Sequence, residues 1–231
     1  MSNIDWKILD KQGVSIKDLY EGAFLIKMKA EELLREGKNA DELYESEYRI
    51  ISSLSQMGDP SAMILLGEML QGRKVKSLSV NDPTIKAMEL WREAAEKGEA
   101  RGYTNIGLLY LHKPIPGGGE DHSNVEYDPE KALSYFLKAY ELGDSKAGRH
   151  IGICYKDGIG TKTDPEKAYE WFCKAADRND STARYLKAEC IYYGKGVEED
   201  KEKALKLMKE LACQSAHDSQ KAAQFIETHL I

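Results

Sequence analysis

The sequence repeats a short motif at a nearly fixed interval. Asp-Pro-Glu-Lys-Ala occurs at Asp128–Ala132 and again 36 residues later at Asp164–Ala168. A variant follows after another 36 residues at Asp200–Ala204, and a related motif with one extra residue precedes the series at Asp82–Ala87. A period of this length is typical of stacked two-helix units, each too small to fold alone, and not of a single globular core. The repeat therefore constrains the fold more than any other feature of the chain.

Each motif predicts the start of a helix. Its aspartate suits the N-cap, where a carboxylate accepts hydrogen bonds from free backbone amides, and Pro129 and Pro165 suit the first helical position. Counted from the motif alanine, residues at +3, +4, +7 and +8 form one apolar helical face. The +4 residues are Trp91, Phe136, Phe172 and Met208. Left-handed helix ends are predicted at Gly98 and Gly143, with Asn179 in the same role.

Another helix precedes each motif helix and is marked by two small residues five positions apart. The pairs are Ala62/Gly67, Gly102/Gly107, Ala147/Gly152 and Ala183/Ala188. Glycine inside a helix costs roughly 1 kcal/mol relative to alanine. Its recurrence therefore predicts close approach of a neighbouring helix, where a side chain would overpack. In the last two units the paired helices are joined by Gly158-Ile159-Gly160 and Gly194-Lys195-Gly196.

The combined pattern resembles the Sel-like repeat, a relative of the tetratricopeptide repeat. The resemblance covers residues 58–215 as four units, of which the first two lack the Gly-x-Gly turn and have longer loops. The expected fold is all-α, a right-handed α–α superhelix of antiparallel two-helix repeats. A single solenoid domain is expected over residues 1–231, with an N-terminal helical pair or cap in 1–57 and a C-terminal capping helix in 216–231.

The two ends of the chain depart from the repeat, because the outer face of a terminal unit meets solvent. Residues 15–36 and 40–57 predict two helices, the first opened by a capping-box pattern at Ser15 and Asp18. Residues 1–13 are expected to be irregular and pinned by Trp6. About eleven helices and no strand are expected in all.

The charge balance excludes some classes of partner. Lysine and arginine number 33 against 39 acidic residues, a net charge of −6. Without a clustered basic stripe, neither nucleic acid nor an anionic membrane surface is an expected partner. No apolar run approaches 18 residues and the N-terminus lacks signal-peptide features, so a cytoplasmic location is expected. Four cysteines without a Cys-x-x-Cys motif are interpreted as reduced packing residues, at Cys154, Cys173, Cys190 and Cys213.

The sequence lacks the spacing patterns of common catalytic and metal sites, such as His-Glu-x-x-His or Gly-x-Ser-x-Gly. The insertion at residues 111–128 carries Gly117–Gly119, Asp121 and His122. It is interpreted as a solvated loop that contacts a partner, since neither a phosphate-binding nor a metal-binding context surrounds it. No cofactor, no metal and no enzymatic activity are expected.

The leading functional hypothesis is a scaffold that binds a peptide or protein surface. First helices usually line the concave side of such stacks. Tyrosine and arginine are enriched at binding hot spots, although a merely tolerated polar face fits the same residues. The predicted binding residues on this concave face, off the packing seam, are Tyr103, Asn105, Arg149, His150, Lys156, Arg184, Tyr185 and Tyr192.

The resemblance implies the same kind of function, because similar proteins act as adaptors and scaffolds, often in bacterial signalling or quality control. Two alternatives stay open. One is an enzyme of the β-lactam-binding or β-lactam-hydrolysing kind suggested for cysteine-rich relatives, although this chain lacks their recurring cysteine pairs. The other is a self-associating structural protein that forms a weak homodimer through its ends, for example near Phe225, Leu230 and Ile231.

Overall fold

A computed structural model of the chain describes residues 14–72, 82–111, 125–213 and 218–229. Within these ranges the chain forms eleven α-helices and no β-strand, which confirms the expected all-α class. The helices are α1 (Ile16–Arg35), α2 (Asp41–Gln56), α3 (Pro60–Gln71), α4 (Pro83–Glu96), α5 (Arg101–Tyr110), α6 (Pro129–Glu141), α7 (Ser145–Asp157), α8 (Pro165–Asp177), α9 (Ser181–Tyr193), α10 (Lys201–Ala212) and α11 (Ser219–His229).

The chain divides into two compact units. The first contains α1 to α4 and α5 as far as Ile106, and the second begins within α5 at Gly107 and contains α6 to α11. In the first unit, α1 packs on α2, α2 on α3 and α3 on α4; in the second, each helix from α6 to α10 packs on the next. Within each unit, helices that are consecutive in sequence therefore pack against each other. The predicted domain bounds at residues 57 and 215 stay a prediction.

The motif aspartates cap their helices as predicted. Asp128 and Asp164 each accept a hydrogen bond from a backbone amide three residues on, at 3.0 Å in both cases. At α1 the reciprocal capping box between Ser15 and Asp18 is present. The left-handed helix ends are confirmed as well, since φ is 100° at Gly98 and 66° at Asn179.

The small residues of the first helices lie where aromatic rings of the second helices come closest. A Cβ added at Gly107 would lie 2.6 Å from the ring of Phe136, and one at Gly152 would lie 2.5 Å from the ring of Phe172. Distances this short are not tolerated by packed atoms. The predicted close approach of paired helices is therefore confirmed.

The C-terminal helix α11 covers the last repeat, as predicted. Its N-terminal Asp218 is 1% exposed and accepts hydrogen bonds from the hydroxyls of Ser181 and Thr182, each at 2.8 Å. Phe225 packs into a buried cluster that includes Ile191 of α9 and residues of α10. The predictions for residues 1–13 and for most of the 111–128 loop fall outside the described residues.

Candidate binding surfaces

The eight predicted binding residues do not share one surface. Tyr103 and Tyr192 are 5% and 9% exposed, so the prediction that both lie off the packing seam is wrong. The ring of Tyr192 meets Phe225 of α11 edge-on at 5.1 Å, because the final helix covers this side of α9. Tyr103 directly follows the first small residue of its helix. Gly148 holds the same repeat position in α7 and lies against Tyr140 of α6, which is a second helix. This repeat position therefore faces the second helices.

Arg184 occupies the same repeat position as Tyr103 and likewise faces the second helices. It lines a groove together with residues of α8 and α10. Its guanidinium donates a hydrogen bond to the side chain of Asn179 at 2.6 Å. Arg184 is thereby assigned to a surface other than the one predicted from the sequence.

The other five predicted residues are half-buried, and among the described residues four of them, all but Lys156, have a contact to another helix or its cap. The amide of Asn105 donates to the Glu68 carboxylate at 3.1 Å. Nε of Arg149 lies 3.7 Å from the Asp180 carboxylate at the N-cap of α9. Tyr185 meets Phe225 edge-on, with 6.2 Å between ring centroids. These three contacts join alternate helices, α3 with α5, α7 with α9 and α9 with α11. A role of Asn105, Arg149, His150, Lys156 and Tyr185 in binding a partner stays a prediction.

The imidazole of His150 packs as an aromatic ring. It stacks on Phe136 with 5.0 Å between centroids and 20° between planes. Burial lowers the pKa of His150 to about 4, and the positive charge of Arg149 acts in the same direction. His150 is therefore neutral near pH 7.

Sequence reasoning missed an ionic contact between adjacent first helices. The Arg101 guanidinium donates to Glu68, which also accepts from Asn105. Glu68 directly follows the second small residue of α3, and Arg101 directly precedes the first small residue of α5. Opposite charges at these two flanking positions were a signal that could have identified the contact.

Among the open grooves that the described residues form, two lie on the side of the second helices between neighbouring repeats, and sequence reasoning identified neither. The first groove lies between α2 and α4 with α3 as its floor, and encloses about 810 Å³. Its floor is apolar, formed by Met63, Leu66 and Leu70, while Leu90 and Glu93 of α4 form one wall. At the rim Lys97 is 3.1 Å from the Glu93 carboxylate.

The last groove has the same construction between α8 and α10, with α9 as its floor, and encloses about 340 Å³. Its wall on α10 contains Leu207 and Glu210, at the repeat positions that Leu90 and Glu93 occupy on α4. Its floor is charged, because Arg184 and Lys187 stand where α3 has Met63 and Leu66.

Aromatic side chains fill the corresponding space between α6 and α8. Tyr140 of α6 meets Trp171 of α8 edge-on, with centroids 4.9 Å apart. The guanidinium of Arg178 lies over the Tyr140 ring, 3.7 Å from the ring centroid. The residues equivalent to Tyr140 are Ser55 in the first groove and Ala176 in the last, so a small side chain at this position accompanies an open groove.

The described part of the chain keeps its potential metal ligands apart. It has no group of three or more His, Cys, Asp or Glu side chains that could hold a metal ion. All four cysteines are free, which agrees with their predicted reduced state, but Cys213 is exposed and does not pack as predicted. Burial raises the pKa of Cys154 and of Cys190 to about 11, so both thiols stay protonated at neutral pH.

The helices of the described ranges lack the features of membrane-spanning segments. None of them is both long enough and apolar enough to cross a bilayer. The nearest candidate in length is α1, with 20 residues, and it carries charged residues throughout.

Comparison with known proteins supports the repeat assignment. The Sel1 repeat family model matches residues 60–99, 118–144, 147–180 and 181–215. The crystal structure of a Sel1 repeat protein from Oxalobacter formigenes superposes with a TM-score of 0.66 at 22% identity, covering 92% of this chain and 78% of that one. The two proteins therefore share a fold.

Two curated relatives match a shorter stretch. The proteins named DAP3-binding cell death enhancer 1 from Rattus norvegicus and Mus musculus are each 36% identical over 85 residues. The match spans 36% of this chain but only 14% of the length of either relative. The family model, in contrast, covers more than half of the chain in four consecutive stretches. Sel1 repeats generally serve as protein-interaction modules, and this chain belongs to the Sel1 repeat family.

Proposed function

We propose that the chain is a non-catalytic scaffold that binds a peptide or protein surface, with the first groove as its principal site. The observation that carries this proposal is the apolar floor of Met63, Leu66 and Leu70, enclosed between two helices and rimmed by polar side chains. An apolar floor that buries a side chain, combined with polar groups that orient the ligand, is the usual form of a binding site.

The shape of the first groove suits an apolar anchor from a helical or extended segment. An amphipathic helix that lies in a groove inserts side chains spaced three or four residues apart. Met57, 41% exposed, stands at the groove and offers a flexible thioether that adapts to different anchors. Burial of one large apolar side chain there is worth about 1.5–3 kcal/mol, or roughly 10- to 150-fold in affinity.

Two further observations support a protein partner and a scaffold role. Catalysis needs convergent groups with perturbed proton affinity in a cleft. The ionic groups at the first groove are instead paired, Glu93 with Lys97 and Lys86 with Glu89. The name of the rat and mouse relatives, DAP3-binding cell death enhancer 1, states that they bind another protein. The same class of ligand, a protein, is proposed for this chain.

The test uses peptides selected against the intact chain from a displayed library of random 16-residue sequences. Their affinities are then measured by calorimetry for the wild type and for Leu66→Lys, which introduces into the first groove the residue that the last groove has at Lys187. The matched control is Lys187→Leu, the reverse exchange. Circular dichroism confirms that each variant is folded.

The expected result is a set of peptides with an apolar anchor whose affinity falls at least tenfold in Leu66→Lys and is unchanged in Lys187→Leu. Failure to select any binding peptide would contradict the scaffold role. Binding that is insensitive to Leu66→Lys but abolished by Arg149→Ala would reject the first groove and favour the first-helix surface instead.

A further inference from the structure

Helix α1 exposes an apolar face at the centre of its outer side. Phe24, Leu25 and Met28 are 60%, 66% and 43% exposed. Their spacing of one, three and four residues places them side by side on the helix surface. Large exposed apolar patches on soluble proteins mark a surface that another element covers.

The repeat phase shows that the Leu25 position of this face is buried in the other first helices. Ala23 lies eight residues after the N-cap Ser15, as Gly152 lies eight residues after the N-cap Asp144, so Ala23 is the second small residue of α1. Leu25 therefore holds the position two residues after that small residue. In the other four first helices this position is 7%, 4%, 0% and 4% exposed, at Met69, Leu109, Cys154 and Cys190.

In the second unit the preceding repeat covers this position. Cys154 lies in a buried cluster with Phe136 of α6, and Cys190 lies in a cluster with Phe172 of α8. Phe136 and Phe172 are both the +4 residue of the second helix that comes directly before. Leu25 thus lacks, among the described residues, the aromatic ring that the repeat supplies elsewhere.

We propose that residues 1–13 supply this cover by docking along α1, with Trp6 against Leu25. Counted from residue 2, Trp6, Leu9 and Gly13 stand at positions +4, +7 and +11. These are the positions of the aromatic residue, the small or apolar residue and the terminal glycine in the second helices, as in Phe136, Ala139 and Gly143. The residue types of the segment thus follow those of a second helix that precedes a first helix, with Val14 as one additional residue between Gly13 and the N-cap Ser15.

The segment is also long enough to reach the patch. Leu25 lies ten residues beyond Ser15, about 15 Å along the helix axis at 1.5 Å per residue. The seven residues between Trp6 and the turn at Gly13 span about 23 Å when extended. A segment that turns back at Gly13 therefore reaches Leu25 without strain in its length.

Hydrogen exchange followed by mass spectrometry on the intact chain tests this docking. The amides of residues 6–12 are expected to exchange at least tenfold more slowly than in an unstructured peptide. Leu25→Asp, at a 66% exposed position, is expected to remove this protection. The matched control Leu142→Asp, at a leucine that is 52% exposed at the end of α6, is expected to leave it unchanged.

Unprotected amides at residues 6–12 in the wild type would overturn the proposal, as would protection that survives Leu25→Asp. Light scattering on the same samples separates the other occupants of the patch. A dimer that dissociates in Leu25→Asp would show that a second copy covers the patch, and would also overturn the proposal. A monomer whose protection is independent of concentration is the expected result.

Discussion

The first and last grooves are built alike but differ in the chemistry of their floors. Leu90 and Leu207 hold the same wall position, and so do Glu93 and Glu210. The floor positions, in contrast, change from apolar to charged between α3 and α9. Leucine and glutamate thus recur in the walls of both grooves, whereas the floors take different residue types.

This difference separates two kinds of repeat position. Positions that pack between helices are constrained by close contact, and their residues recur. Positions that face a groove are free to vary, so they are where partner specificity resides under the proposed function. The space between α6 and α8 differs from both grooves, because the Tyr140 ring fills it. The small side chains of Ser55 and Ala176 leave the equivalent space open in the first and last grooves.

The largest expected effect comes from a packing position. Phe172 is fully buried against Gly152, and Phe172→Ala is expected to lower the free energy of unfolding by about 3–5 kcal/mol through cavity formation. The groove-facing counterpart is Lys187→Ala, expected to change it by no more than about 0.5 kcal/mol. Urea denaturation measures both, and similar losses in the two variants would remove the distinction between packing and groove positions.

The next largest loss of stability is expected from removing the ring that fills the space between α6 and α8. Tyr140→Ser replaces the ring by the residue that stands at the equivalent Ser55, and removes the contacts to Trp171 and Arg178. The free energy of unfolding is expected to fall by about 2–4 kcal/mol, as for other large-to-small substitutions. Denaturant unfolding measures the loss, and a red shift of tryptophan fluorescence is expected as the indole of Trp171 becomes hydrated. An unchanged spectrum would show that the ring does not close this space.

The pH dependence of stability tests whether His150 is a packing position. Its pKa is lowered from 6.5 to about 4 in the folded state by burial. The unfolded chain therefore binds a proton that the folded chain does not, and stability falls as pH drops from about 6.5 to about 4. At pH 5 this loss is on the order of 2 kcal/mol.

The matched variant for this prediction is His150→Leu, which installs the residue found at the equivalent Leu65 and Leu186. Denaturation at pH 7 and pH 5 is expected to show a smaller difference in the variant than in the wild type. An equal difference in both proteins would mean that His150 is hydrated and does not pack on Phe136.

A smaller loss of stability is expected from removing the N-cap of a wall helix, and it should be equal for the first and last grooves. Asp82 caps the wall helix of the first groove and Asp200 caps that of the last, and each side chain accepts amide hydrogen bonds at 2.9–3.0 Å. Asp82→Ala and Asp200→Ala are each expected to cost about 1 kcal/mol. Thermal melts measure both, and a large difference between the two variants would show that the walls are not equivalent.

Much of the fold follows from the sequence because its signals are local or periodic. Asp128 and Pro129 mark a helix start by hydrogen bonding within one turn, and Gly152 marks a close approach because no other residue fits there. These constraints act within a single repeat, where the 36-residue phase aligns them. The helix count and the caps could be predicted for that reason.

The candidate surfaces were predicted less well, because the direction of a side chain depends on the neighbouring repeat. Tyr103 and Arg184 were predicted to face away from the packing seam, yet their position faces the second helices. Tyr192 was predicted to be accessible, and the contact with α11 buries it. The grooves were missed because each needs three helices, from two repeats, whose distances the sequence does not specify.

The most direct test of the proposed role is an NMR titration of the isotopically labelled chain with a selected peptide. If the first groove is the binding site, the largest amide shifts will fall on groove residues such as Ser52, Met57 and Leu66. Shifts that centre on α7 and α9 around Arg149 and Tyr185, with the first groove unaffected, would contradict the account.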